Sequence, residues 1–181
     1  MFSKEYWQSS AEKLKSVRYL SIMGMMIALK ICLSGVYFPV GENLHISITF
    51  IIVAIEASIL GPVSGMVSGA ITDIVSFMIH PDGPFFAGYV LTAMLGEFIY
   101  GLFFYQKKVS LKNIIPAKIV MNYFVNVLVG SLWSSMLYSK GYIYYMTKSA
   151  IKNTTMLPIE IAVLFIAFKM VSPILEKKRL K

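Results

Sequence analysis

The 181-residue sequence contains a single cysteine, Cys32, and only two histidines. One cysteine cannot form a disulfide within the chain, and two histidines outside any ligand cluster do not make a metal site. The His-Glu-x-x-His and Gly-x-Ser-x-Gly motifs are absent, and no glycine-rich phosphate loop is complete. We therefore predict no enzymatic activity, no catalytic residue, no bound metal and no cofactor.

Charged residues are also scarce. They make up 14% of the chain, whereas 57% of the residues are hydrophobic and the mean hydropathy is +0.69. Soluble domains average about 25% charged residues, so this composition predicts an integral membrane protein in contact with lipid. The net charge of +8 does not indicate a nucleic-acid partner, because basic residues of membrane proteins collect at the cytoplasmic surface.

Six apolar runs approach the ~20 residues that a helix needs to cross a membrane. We predict an all-α protein with one domain, residues 1–181, and six transmembrane helices. Residues 1–16 are predicted to form an interfacial helix, and residues 176–181 a basic cytoplasmic tail. The predicted spans are Val17–Leu33, Ile46–Leu60, Val63–Ile79, Phe85–Tyr105, Ile114–Tyr138 and Met156–Leu175.

The distribution of lysine and arginine predicts the orientation. The N-terminal segment, the loop Gln106–Asn113 and the tail are basic and lie on one side of a six-span topology, so we predict that both termini are cytoplasmic. The segments Ser34–His45 and Ser139–Thr155 are predicted to be loops on the outer side. Three lysines in the second of them indicate either an anionic ligand or, as the charge bias favours, ordinary solvated loop charges.

Small residues recur at four-residue spacing before an acid. Gly61, Gly65, Gly69 and Asp73 share one face of a helix. A glycine face lets a second helix approach closely, and an acid inside a membrane is costly unless something pairs with it. We predict close helix packing at the glycines, with Asp73 in the outer half of the membrane as part of a binding site or its support.

Other ionisable residues inside the apolar runs each need a partner or a ligand. Lys118 and Lys169 are predicted to extend their long side chains to the cytoplasmic interface. Lys30 and Glu160 are predicted to lie near the outer ends of their segments, in contact with water. Glu97 is predicted to lie deeper and either to pair with a lysine or to contact a ligand. The complete set is Lys30, Glu56, Asp73, Glu97, Lys118, Glu160 and Lys169.

Asparagines and aromatic residues add a possible recognition surface. Asn122 and Asn126 lie one turn apart in the fifth run and either bond a neighbouring helix or offer donors and acceptors to a heteroaromatic ring. Four aromatic residues are suited to stack on such a ring, although aromatic residues at membrane interfaces are commonly anchors. They are Phe85, Phe86, Tyr89 and Trp133.

Five short runs occur in order along the chain. They are ALKICLS (28–34), HISITF (45–50), GPVSGMVSGAITD (61–73), GPFFAGY (83–89) and GEFIYGLFFY (96–105). Together they resemble the folate-specific substrate-binding subunits, the FolT type, of energy-coupling factor (ECF) vitamin transporters. The resemblance extends from about Val17 to Glu160, and the order and spacing of the runs carry more weight than any single run.

This resemblance implies a multi-pass protein of the bacterial cell membrane that binds a vitamin at its outer face. It also implies partners, namely a transmembrane coupling subunit and two ATPases that use ATP. In that family the first helix docks on the coupling subunit through small residues at four-residue spacing. Gly24 and Ala28 match this pattern, although such residues also pack against helices of the same chain.

The resemblance leads us to predict a high-affinity folate-binding subunit. The pterin ring is expected to bond to Asn122, Asn126 and Glu97. The glutamate of folate is expected to face Lys30, His45 and lysines of the outer loops. Lys30 stands where the family often has arginine, which would grip a carboxylate at two points. The aminobenzoyl ring is expected to stack among Phe85, Phe86, Tyr89 and Trp133. The alternatives are an ECF subunit for thiamine, riboflavin or biotin or, from another class, a membrane-embedded enzyme or a small channel.

Overall fold

The computed structural model describes residues 4–35, 37–41, 44–81, 85–138 and 141–179, with side chains at 4–35, 48–81, 85–138 and 141–173. The side chains of His45 and of the basic tail predicted at 176–181 lie outside the described residues. Two compact units, Met1–Gln106 and Lys107–Lys181, each have their own internal packing. The prediction of one domain stays a prediction.

The chain is helical apart from one short hairpin. In the first unit, the elements are α1 (Lys4–Glu12), a 3-10 turn (Lys13–Lys15), α2 (Val17–Ser34), β1 (Tyr37–Gly41), β2 (Leu44–Ser47), α3 (Thr49–Leu60), α4 (Pro62–Ile79) and α5 (Ala87–Phe104). In the second unit, they are α6 (Leu111–Ile119), a π-helix (Val120–Val129), α7 (Gly130–Leu137) and α8 (Tyr142–Arg179).

Five helical segments among the described residues are long and apolar enough to cross a membrane. They are α2, α4, α5, the continuous segment Leu111–Leu137, and α8 as far as Pro173. Helix α3 has 12 residues, which at 1.5 Å per residue extends about 18 Å, short of a hydrocarbon core of ~30 Å. The prediction of a multi-pass helical membrane protein is confirmed. The number of six spans and the cytoplasmic termini stay predictions.

The segment Ser34–His45, predicted to be a loop, contains an antiparallel hairpin. Strands β1 and β2 pair with Pro39 opposite His45, and the register shifts between Pro39 and Gly41. The shift accommodates the proline, since its missing N–H leaves a regular ladder incomplete. Strand pairing satisfies backbone groups that an open loop would leave to solvent.

The segment Ser139–Thr155, also predicted to be a loop, is mostly helical. Helix α8 begins at Tyr142 and runs for 38 residues. Its lysines, serine and threonines suggested a loop, but no glycine or proline occurs between Tyr142 and Pro158, so nothing in the backbone ends the helix. The last helix therefore begins well before the predicted start of the span at Met156.

Helix α4 packs closely against α5 through its glycines. A Cβ atom at Gly65 would lie 3.3 Å from Glu97 Cβ, and one at Gly69 would lie 2.7 Å from the carbonyl oxygen of Ala93. Gly101 of α5 meets the start of α4, where an added Cβ would lie 2.6 Å from the backbone. Gly65 is thus opposite Glu97 and Gly69 opposite Ala93 in an antiparallel pair, and the predicted close packing is confirmed.

Helix α1 caps the turn between α3 and α4. Ser10 is buried, donates through Oγ to the carbonyl oxygen of Leu60 (3.0 Å), and accepts from the backbone N–H of Val63 (3.0 Å). Gly61 between them has φ +84°, and a Cβ there would lie 2.6 Å from Ser10 Oγ. The N-terminal segment is helical, and its buried side supplies hydrogen bonds that the two helix ends lack. Its predicted position at the membrane interface stays a prediction.

Two further side chains from the N-terminal segment fix this end of the first unit. Burial raises the pKa of Tyr6 to about 12, and the nearby Tyr105 adds to the effect. The hydroxyl therefore stays protonated and donates to the carbonyl oxygen of Gly101 (3.1 Å). Lys13 donates to the carbonyl oxygen of Ile59 and lies 4.2 Å from the centre of the Tyr105 ring.

In the second unit, α6 continues through the π-helix into α7. The N–H of Gly130 donates to the carbonyl of Val125, five residues back, which is the π-helical pattern. Such wide turns are rare and often occur at functional sites. This one carries Asn122 and Asn126, and it packs along α8.

Candidate functional site

Four side chains from four helices form a charged group inside the first unit. Lys30 Nζ lies 2.6 Å from Glu56 Oε2 and 2.8 Å from Glu97 Oε1. It also donates to Ser68 Oγ (3.2 Å), and Ser68 donates in turn to Glu56 Oε1 (2.5 Å). Each of the four residues is at most 1% exposed. We call Lys30, Glu56, Ser68 and Glu97 the buried charge cluster.

The buried charge cluster changes the interpretation of Lys30. Lys30 donates two hydrogen bonds within the protein, contacts Glu56 as an ion pair and is 1% exposed, so the expectation of a water-exposed lysine is wrong. For Glu97, pairing with a lysine, one of its two predicted alternatives, is what the structure shows. Glu56 was recognised as an acid in an apolar run but was not assigned to a site. The sequence indicated only that an unpaired Glu56 would be costly in an apolar helix, and this cost does not identify a partner that is distant in the sequence.

Asp73 lies one helical turn beyond Gly69 on α4, outside the buried charge cluster. Its side chain is half-buried and makes no hydrogen bond or ion pair within the described part of the chain. The register that sets Gly69 opposite Ala93 brings Asp73 level with Tyr89 of α5. Its carboxylate oxygens are therefore available to accept hydrogen bonds from a ligand.

Aromatic side chains gather at this same end of α4 and α5. The rings of Phe77 and Phe85 are 5.1 Å apart, and those of Phe86 and Tyr89 are 6.0 Å apart, both in edge-to-face arrangements. Phe85 is 52% exposed and Tyr89 36% exposed. Three of the four predicted aromatic residues thus lie at one end of the first unit, whereas Trp133, on α7 of the second unit, is half-buried.

Polar side chains of the second unit connect α6 and the π-helix to α8. Lys118 Nζ lies 2.9 Å from Glu160 Oε2, and Asn122 Nδ2 donates to the same oxygen (2.7 Å). Asn126 Nδ2 donates to Asn153 Oδ1 (3.2 Å). Both asparagines make interhelical bonds, one of their two predicted roles. We call Lys118, Asn122, Asn126, Asn153 and Glu160 the polar row.

The contacts of the polar row show that two predictions are wrong, and they show that its asparagines differ in exposure. Lys118 is 2% exposed and bound to Glu160, so it does not extend to the membrane interface. Glu160 lies in the middle of α8 and not near an outer end, because that helix begins earlier than predicted. Asn122 is fully buried, and its Oδ1 has no partner among the described residues. Asn126 is exposed and is therefore the asparagine that a ligand can reach.

The remaining predicted residues lie elsewhere. Gly24 and Ala28 are exposed on α2, and an added Cβ at Gly24 would meet nothing within 4 Å. This face therefore does not pack against another described helix, although the sequence allowed that possibility. His45 is placed only through its backbone in β2. Lys169 is exposed on α8. The described residues contain no group of three potential metal ligands.

Comparison with known proteins gives consistent results over most of the chain. The profile of the family described as ECF transporter, substrate-specific component, matches residues 18–175. The protein named Folate transporter FolT of Clostridium novyi (strain NT) is 33% identical over 158 residues, which cover 87% of this chain and 92% of that protein. A protein of the same name from Leuconostoc mesenteroides subsp. mesenteroides is 30% identical over 153 residues, which cover 81% and 82% of the two chains.

A solved structure shows the same likeness in three dimensions. The crystal structure of FolT bound with folic acid matches this chain with a TM-score of 0.74 and 26% sequence identity. The match covers 82% of this chain and 90% of that one. The likeness in sequence and the likeness in fold thus extend over a similar share of the molecule.

Proposed function

Because this chain belongs to the family of ECF transporter substrate-specific components, we propose that it is a folate-binding subunit that serves folate uptake. A substrate-specific component is a binding subunit and not an enzyme, so the enzyme alternative is excluded. The observation that carries the proposal is that relatives named as folate transporters align along more than four fifths of this chain. The folic-acid-bound structure of the same fold supports it.

In the first unit, Asp73 accepts hydrogen bonds from the pterin ring. The edge of a pterin presents neighbouring N–H groups, and a carboxylate has two oxygens to accept them. The absence of a partner for Asp73 among the described residues supports this role. Glu97 supports the site indirectly, since its contacts are to Lys30 in the buried charge cluster.

Aromatic and basic residues bind the rest of folate. Phe85, Phe86 and Tyr89 stack on the aminobenzoyl ring. Each edge-to-face or offset contact between two rings stabilises binding by about 0.5–1.5 kcal/mol beyond the burial of apolar surface. His45 attracts the glutamate carboxylates. Lys30 does not take this role, because it is buried and its ammonium group already contacts Glu56, Ser68 and Glu97.

In the second unit, Asn126 and Trp133 are the candidates for contacts with folate. Asn126 is exposed and offers both a donor and an acceptor. Asn122 holds it in place indirectly, because Asn122 also donates to the backbone of Asn153 (3.4 Å), the residue that accepts from Asn126. The polar row thus positions one reachable amide.

The transport partners are a transmembrane coupling subunit and two ATPases in the cell membrane. Six helices cross the membrane and both termini are cytoplasmic. Helix α2 docks on the coupling subunit through Gly24 and Ala28. The exposure of both residues and the open space at Gly24 support this role, since small residues permit close contact between helices.

The direct test of the ligand is a titration of tryptophan fluorescence in the purified full-length protein. Folate is compared with thiamine, riboflavin and biotin. We expect saturable binding of folate alone, and weaker folate binding by Asp73→Asn at an unchanged melting temperature. Saturable binding of another vitamin with none of folate would refute the folate proposal but leave family membership intact.

The docking face is tested by Gly24→Trp and Ala28→Trp. Each should abolish folate uptake by the assembled transporter while folate binding to the isolated subunit remains normal. Leu29→Trp is the matched control, because Leu29 is also exposed on α2 but lies about 100° around the helix axis from Ala28. Parallel loss of binding and uptake in the first two variants would contradict the docking role.

A further inference from the structure

The buried charge cluster contains unequal numbers of opposite charges. Lys30 supplies one positive charge, whereas Glu56 and Glu97 supply two negative charges if both are ionised. None of the three is more than 1% exposed, so water does not compensate the difference. An unbalanced charge in such surroundings is costly, and a buried acid avoids the cost by binding a proton.

Among the described residues, no further charged side chain forms an ion pair with the buried charge cluster. Arg18 is exposed near the opposite end of α2 from Lys30. Asp73, the acid of α4, is itself negative when ionised and lies more than one turn beyond Ser68. The other titratable groups on α2 to α5 are uncharged in their ordinary state near neutral pH; they are Tyr19, Cys32, Tyr89 and Tyr100.

The hydrogen bonds leave two carboxyl oxygens without a donor. Lys30 donates to Glu97 Oε1, and Ser68 donates to Glu56 Oε1. Glu97 Oε2 and Glu56 Oε2 are buried and have no hydrogen-bond donor among the described residues, although Glu56 Oε2 forms an ion pair with Lys30. Both carboxyl groups contact the same Lys30 Nζ, so they lie close together. Two ionised carboxylates can only accept, so a hydrogen bond between them requires a proton on one of them.

We propose that the buried charge cluster is a binding site for one exchangeable proton, held by Glu97 and donated to Glu56. The proton makes the net charge of the cluster zero and forms a hydrogen bond between the two carboxyl groups, each of which has one oxygen without a donor. A metal cation fits poorly, because the Lys30 ammonium already contacts both carboxyl groups and would repel a second cation. The proton site does not depend on which vitamin the protein binds.

Infrared spectroscopy of the full-length protein in lipid nanodiscs tests the proton directly. A buried protonated carboxyl gives a C=O stretch that is separate from the carboxylate bands and shifts in D2O. We expect this band in the wild type at neutral pH and its loss in Glu97→Gln. Asp73→Asn is the matched control, because it removes a half-buried carboxyl outside the cluster, and it should keep the band. Absence of the band from the wild type, or its survival in Glu97→Gln, would overturn the proposal.

Thermal melting gives an independent test. Glutamine copies the shape and neutrality of a protonated carboxyl, so Glu97→Gln should melt close to the wild type. The double variant Glu56→Gln/Glu97→Gln leaves Lys30 without a counter-charge and should melt far lower. The folded wild type keeps a proton that its unfolded chain releases. Its free energy of unfolding should therefore fall as the pH rises. The free energy of unfolding of Glu97→Gln should fall less steeply, because this variant lacks that proton.

Two melting results would contradict the proton site. One is a Glu97→Gln variant as unstable as the double variant, which would mean that both carboxylates are ionised in the wild type. The other is a wild-type melting temperature that rises with Na+ at constant ionic strength, together with no protonated carboxyl in the infrared spectrum. That pair of results would assign the site to a metal cation.

Discussion

The buried charge cluster and the polar row both place a lysine and a glutamate inside apolar helices, yet their side chains differ in exposure. In the cluster, one lysine meets two acids and every side chain is at most 1% exposed. In the polar row, one lysine meets one acid, the Glu160 side chain is 17% exposed, and asparagines continue from the ion pair to the exposed Asn126. A charge inside a membrane helix therefore has two roles here, one joining helices and the other supporting a group that a ligand can reach.

The largest expected effect comes from Lys30→Met. This substitution leaves the buried carboxyl groups of Glu56 and Glu97 without a positive partner. We therefore expect the free energy of unfolding to fall by about 3–5 kcal/mol, the cost of breaking a buried ion pair. Thermal melting in detergent measures it. Lys148→Met removes an exposed lysine and should melt like the wild type. Equal melting temperatures for Lys30→Met and Lys148→Met would show that the cluster does not join the helices.

A smaller loss is expected for Lys118→Met in the polar row. Glu160 keeps its bond from Asn122 and some contact with water, so the expected cost is about 1–3 kcal/mol, the range for removing one partner of a buried hydrogen bond. The same melting experiment compares it with Lys30→Met. If Lys118→Met proved the more damaging variant, the distinction between a closed cluster and a partly open row would fail.

The smallest effect on stability, and the most informative about binding, is expected for Asn126→Ala. This variant removes one exposed amide together with its hydrogen bond to Asn153, so the melting temperature should fall only slightly below that of the wild type. Loss of one hydrogen bond, about 0.5–1.5 kcal/mol, should weaken folate binding roughly 2- to 12-fold. Fluorescence titration measures the change, with Ser135→Ala on α7 as a control that leaves the row intact. Unchanged folate affinity would remove Asn126 from the proposed ligand contacts.

The positions of the helices followed closely from the sequence. Apolar runs identified α2, α4 and α5 nearly to the residue, because hydrophobic length is a local property. The glycine spacing predicted close helix packing, and the structure shows that Gly65 and Gly69 meet α5. The local pattern failed at α8, where lysines and threonines suggested a loop although no residue interrupts the helix, and at Ser34–His45, where strand pairing depends on two segments at once.

The candidate site was less predictable than the helices. Asp73, Phe85, Phe86 and Tyr89 were selected from the sequence and lie at one end of α4 and α5, since adjacent helices joined by a short connection place neighbouring residues together. Lys30 was predicted to be exposed to water. Its contact with Glu56 and Glu97 could not be predicted, because these residues are far from Lys30 in the sequence. Lys118 was assigned to the membrane interface for the same reason.

The sequence by itself determined that this chain is a helical membrane protein, that α4 presents a glycine face, and that the ordered motifs resemble a vitamin-binding family. These properties depend on residues that are close together in the chain. Only the tertiary structure decided which buried charges neutralise each other and which polar groups stay available. An ion pair depends on distances of a few ångströms between separate helices, and no local pattern of residues encodes those distances.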